Sequence, residues 1–162
     1  CEFDQSIIHY NDSSFNELEF AKSWEKLDIP QLVPGGMRIG YSAYREPLKS
    51  FFTLIPDPDT PYVLVKVFEK GPGNDSFVVE RIERTTPAQV RKFSKTLDTH
   101  CFWTTKVDDE ERLGGAGWFL EAKRIEESPC SLNDHHFVWR YTSDTLFKKI
   151  FIDGFSDMMH NK

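Results

Sequence analysis

Between Met37 and Ile82 no apolar run is longer than a strand, and each is separated from the next by a segment containing proline. Met37, Ile39, Tyr41 and Ala43 alternate with Arg38, Gly40 and Ser42, the period of a half-buried strand. Phe51 to Leu54 marks a further short segment, and Tyr62 to Phe68, apolar on both faces apart from Lys66, reads as an interior strand. Between them, Pro56-Asp57-Pro58-Asp59-Thr60-Pro61 is a stiff loop, because each proline fixes φ and withdraws a donor. Gly71-Pro72-Gly73-Asn74-Asp75 then turns the chain into a hairpin partner at Phe77 to Ile82. Strands joined by tight turns, without intervening helices, favour an antiparallel sheet.

Helical signals flank this block. Ser14 with Glu17 three residues on forms a capping box, and Phe15, Leu18, Ala21, Trp24 and Leu27 follow at helical spacing. Thr86-Pro87-Ala88-Gln89 combines a Thr cap, proline at the first helical position and Gln at the reciprocal site, ahead of Val90, Phe93 and Leu97. Trp118 to Lys123 and His136 to Tyr141 read as a second strand pair. A last helix from about Ser143 would turn Leu146, Phe147, Ile150, Phe151, Phe155 and Met158 inward. The expectation is an α+β fold: one antiparallel sheet of about five strands with helices packed on one face. Residues 1–12 read as a polar N-terminal tether and residues 13–162 as a single domain, a size that supports its own core.

Charge narrows the partners. Twenty-six acidic residues against 20 basic ones give a net charge of −6, which argues against a nucleic-acid backbone and leaves a basic protein partner open. No apolar run approaches the roughly 20 residues of a spanning helix. Cys1 stands first, in a segment with neither a basic n-region nor an apolar h-region, and reads as the lipid-bearing cysteine of a processed lipoprotein; the alternative is an ordinary residue. Setting Cys1 aside leaves Cys101 and Cys130 as a candidate disulfide for an oxidising compartment. Closing that loop would stabilise the fold by roughly 3–4 kcal/mol in the chain-entropy view.

Catalytic and metal-binding patterns are weak. Gly114-Gly115-Ala116-Gly117 is followed by a strand and carries no lysine, unlike a phosphate loop. His135 and His136 are adjacent on a strand and point to opposite faces, so they do not chelate one ion easily. No Gly-x-Ser-x-Gly elbow, Cys-x-x-Cys or His-Glu-x-x-His pattern is present. The reading is therefore a non-enzyme without cofactor or metal. Partner-binding candidates are the acidic run Asp108, Asp109, Glu110 and Glu111, the nearby Trp103, and Asp57 and Asp59 of the proline loop. Glu121 and Arg140 are expected to stand opposite each other in the last hairpin as a structural ion pair.

From about Arg38 to Met158 the chain resembles a widespread group of small bacterial proteins of uncharacterised function. The likeness rests on Thr86 to Leu97, Phe102-Trp103, Gly115-Ala116-Gly117-Trp118-Phe119-Leu120-Glu121 and His136-Phe137-Val138-Trp139-Arg140-Tyr141-Thr142-Ser143. The Asp-Gly-Ala turn and Tyr-His-Val-Val-type strand of familiar versions are altered here, so the resemblance speaks to fold more than to activity. In outline the chain is also similar to periplasmic immunity lipoproteins. That resemblance implies binding and occlusion of a secreted antibacterial effector, such as a lipase or cell-wall hydrolase, by a domain anchored to the membrane through Cys1. Glu2 resembles an outer-membrane sorting signal. The alternative is an envelope lipoprotein serving as a small-ligand-binding or assembly module.

Overall fold

Alternation and turn chemistry resolve into six strands: β1 (Met37–Ala43), β2 (Leu48–Ile55), β3 (Tyr62–Glu69), β4 (Ser76–Arg84), β5 (Ala116–Lys123) and β6 (His135–Tyr141). The structure, a computed structural model, describes residues 27–43, 45–105, 116–125, 135–141 and 145–160. The first four strands form a meander, and β5 returns to the far side of β1, giving the order β4-β3-β2-β1-β5-β6. Every pairing is antiparallel. The strand count is six, not about five, because the Phe51–Leu54 segment is the middle of the eight-residue β2. Its first residues, Leu48-Lys49-Ser50, lie at an exposed to half-buried flank and carry little apolar signal.

The described helices pack on one face of the sheet. Helix α1 (Pro87–Thr99) starts where its capping box predicts: Gln89 N–H donates to Thr86 Oγ1 at 3.2 Å, and Thr86 N–H donates to Gln89 Oε1 at 3.0 Å. A 3₁₀ turn (Phe102–Thr104) follows. The C-terminal helix is described from Thr145 as α2 (Thr145–Phe147), a π-helical turn (Lys148–Ile152) and α3 (Asp153–Met159). Met37, Ile39, Leu54, Val63, Leu120 and Val138 meet Phe93, Leu97, Phe102, Phe151 and Phe155 in the main core. Leu146, expected inside, is 67% exposed, whereas Ile152 is buried. Phe147, Phe151, Phe155 and Met158 are buried as expected, and Ile150 is half-buried against the core.

The opposite face is buried as well. Phe51, Phe68, Phe119 and Phe137 form a second apolar cluster with Ile29, flanked by Leu27 and Trp139. A strap, residues 27–30, crosses this face. Lys66 of β3 donates to the Asp28 carbonyl at 2.6 Å, and Arg38 of β1 donates to the Pro30 carbonyl. Lys66, which breaks an otherwise apolar strand, is thereby accounted for: it also pairs with Asp28 Oδ2 at 3.3 Å and Glu80 Oε2 at 3.2 Å. The tether and the helix expected from Ser14 lie outside the described residues.

Two glycines admit the aromatic layer. A Cβ on Gly40 would stand 1.9 Å from the Phe119 ring, and one on Gly117 would stand 2.4 Å from the Trp139 indole. Phe119 stacks on Phe137 and Trp139, with ring centroids 5.6 and 6.2 Å apart. Glycine in these strands is thus a requirement of close aromatic approach.

Candidate functional site

On the strap-bearing face, β1, β2, β5 and β6 bring four polar side chains together. Arg38, 3% exposed, donates through Nε to Thr53 Oγ1 at 3.2 Å and through Nη1 to Glu121 Oε2 at 3.0 Å. His135 Nε2 meets Glu121 Oε1 at 2.7 Å. Burial pulls the Arg38 guanidinium below its ordinary pKa, and the Glu121 carboxylate opposes that shift. Thr53, Glu121 and Pro30 each accept from a different guanidinium nitrogen, so the group acts as a buried clamp between strands and strap.

The expected opposition of Glu121 and Arg140 does not occur. Glu121 faces Phe137 across the last hairpin and Arg140 faces Trp118. Glu121 instead stands directly across β1 from Arg38 and pairs with it. The hairpin register differs by three residues from the one expected, and an odd shift moves a side chain to the other face of the sheet.

His135 and His136 do point to opposite faces. His136 faces the helices, its Nε2–H donates to the Thr105 carbonyl at 2.8 Å, and its ring meets Phe102 edge-on at 5.0 Å. Desolvation lowers its pKa to about 4, the Thr105 carbonyl acting in the opposite sense. It is neutral at physiological pH, a packed core group.

The remaining candidates are dispersed. Asp57 is spent on its own loop: Oδ1 accepts from Asp59 N at 2.9 Å and Thr60 N at 2.7 Å, and these bonds lower its pKa. Asp59 is exposed beside it. Trp103 is half-buried against the core, donates Nε1–H to Asp98 Oδ1 at 2.9 Å and carries the Arg124 guanidinium over its ring at 4.3 Å. Asp108, Asp109, Glu110 and Glu111 lie outside the described residues, as do Cys1 and Cys130. Cys101 is disulfide-bonded, with its partner outside the described residues. It adopts left-handed backbone, φ 54°, and its carbonyl accepts from the Thr104 and Thr105 hydroxyls at 3.1 and 3.0 Å.

A surface that motif reading missed lies on the helix-bearing face. Register places Arg140, Trp118, Tyr41, Ser50, Val67 and Val79 on one rung crossing all six strands. Five of these side chains are half-buried and Val79 is 44% exposed. One rung deeper, Val138, Leu120, Ile39 and Val65 are in the core. The Tyr41 and Trp118 rings lie 4.6 Å apart, and the Tyr41 hydroxyl donates to Glu46 Oε1 at 3.0 Å; desolvation first, and that bond second, raise the phenol pKa. The row marks where helical cover gives out, and Tyr, Trp and Arg are the residue types that anchor protein interfaces. The signal was available in the alternation of β1 and β5. Register alone could align the two strands.

Comparison with protein-family models, curated proteins and solved structures found no match. Among the described residues, no group of three or more His, Cys, Asp or Glu side chains is placed to hold a metal ion. Among them, too, no helix is long and apolar enough to cross a membrane.

Proposed function

We propose that this chain is a binding protein that neutralises a secreted antibacterial effector by covering the effector's active-site mouth. The observation that carries the reading is the Arg140–Trp118–Tyr41 row, a half-exposed aromatic and basic strip on a rigid sheet. A sheet surface holds such anchors in place before contact, so little ordering entropy is lost on binding. The acidic balance of −6, including the run at Asp108 to Glu111, would speed encounter with a basic partner. The half-cystine at Cys101 supports placement in an oxidising compartment such as the periplasm, where disulfides persist. Acylation of Cys1 completes the proposal, holding the domain at the membrane and raising its effective concentration there.

The full chain, immobilised and exposed to extracts of source cells with active secretion systems, should capture an effector whose toxicity it suppresses. Combined Tyr41→Ala and Trp118→Ala substitution should weaken that complex more than about tenfold, the loss expected of interface anchors. Capture at undiminished affinity would remove the row from the interface. Capture of envelope-assembly proteins alone would replace the neutralising role with a structural one.

A further inference from the structure

β4 is an edge strand: among the described residues only β3 pairs with it. Its nine residues are exposed apart from the half-buried Glu83, and Ile82 is 62% exposed. A long exposed edge is a template for another strand. We propose that a second copy of this chain pairs with it, β4 against β4 and antiparallel, to make one continuous sheet.

The charge sequence of β4 selects this occupant and its register. A two-fold axis relating antiparallel edges runs perpendicular to the sheet and preserves its faces. Residues directly opposed across the interface must therefore lie on the same face, which permits only every second register. Centring the pair on Ile82 sets Glu80 against Arg84 of the other copy and Arg81 against Glu83, each contact occurring twice by symmetry. Moving the centre to Arg81 or Glu83 opposes two like charges, and so does centring on Glu80 or Arg84. In the favoured register Glu80, Ile82 and Arg84 lie on the strap-bearing face, since Glu80 and Ile82 pair with Lys66 and Leu64. Arg81 and Glu83, already 2.9 Å apart within one strand, lie on the helix-bearing face. There the four charges of two copies alternate at the corners of a square, so each has two opposite neighbours.

The fold bounds the interface at both ends. A bulge between Val67 and Phe68 disturbs the β3–β4 ladder near Val78, leaving Val79 to Arg84 as the regular stretch. In this register Val79 opposes Thr85 of the other copy, and two residues further lies Pro87, which has no N–H to give and begins α1. The paired segment thus coincides with the regular part of the edge. The exposed Ile82 gains a role as well: on the axis, it packs against its own copy.

Sedimentation equilibrium of the chain should give twice 18.9 kDa at low salt, with dissociation rising as salt is added. Arg81→Glu and Glu83→Arg should each shift the protein to monomer, and the two together should restore the dimer, because the swapped charges again oppose. Ile82→Cys should cross-link to its own copy through position 82 on oxidation, as read by mapping the linked peptide, whereas Phe77→Cys should not link through position 77. A chain that stays monomeric at millimolar concentration would overturn the proposal, leaving the charges as guards of an unpaired edge. So would a dimer indifferent to Arg81→Glu and not linked through position 82, which would place the interface elsewhere. Should a charge variant fail to fold, the cross-link reads the register independently.

Discussion

His136 shows how one side chain couples packing to pH. Its pKa is about 4 in the folded chain against an ordinary 6.5, so between those values the unfolded chain binds the extra proton. Stability from this group is complete above pH 6.5 and is lost as pH falls toward 4, by up to about 3 kcal/mol. Urea unfolding at pH 7 and pH 4.5 should show that loss, and His136→Phe should reduce the difference. Glu121 makes a different kind of contribution. Glu121→Ala leaves Arg38 buried and uncompensated and should cost about 3–5 kcal/mol. Replacing both, with Arg38→Met and Glu121→Leu, removes the stranded charge and should cost distinctly less by the same denaturation measurement. Neither role was legible in the sequence. Arg38 and Lys66 appear there only as polar interruptions, and their partners are Asp28 and Pro30 carbonyls and a carboxylate 83 positions away.

At the level of elements, Gly40 has the closest approach of any described glycine, 1.9 Å from an added Cβ to the Phe119 ring. Gly40→Ala drives a methyl into the Phe119 ring, which Phe137 and Trp139 hold from the side, so the ring cannot swing away freely. The expected loss is about 1–3 kcal/mol, with partial recovery when Phe119→Leu is added. Thermal unfolding of the single and double variants would decide between this account and a simple loss of strand propensity. Local chemistry was the legible part here. The Thr86–Gln89 box, the 71–75 turn and the alternation of β1 announce themselves because their causes lie within a few residues. Register was not legible, because strand alternation fixes which residues share a face but not which residues stand opposite. The Glu121–Arg140 expectation failed for that reason, while Glu121 found its true opposite, Arg38, through the β1–β5 contact. The inward-facing set of the last helix was largely legible, Phe147, Phe151, Phe155 and Met158 all being buried, although nothing in Lys148–Ile152 spells out a π turn.

For the whole molecule, chain length predicted a core but not its division into two. The helices account for one layer, and the aromatic cluster behind the sheet requires cover of its own. Part of that cover is the strap, and its mode of attachment is informative. Lys66 and Arg38 reach main-chain oxygens of Asp28 and Pro30, groups that every amino acid supplies. Anchorage of this kind specifies a path and not a spelling. The exposed side chains of the segment that follows, Gln31, Val33 and Pro34 among them, are left free to change with whatever meets that surface while the chain beneath keeps its course.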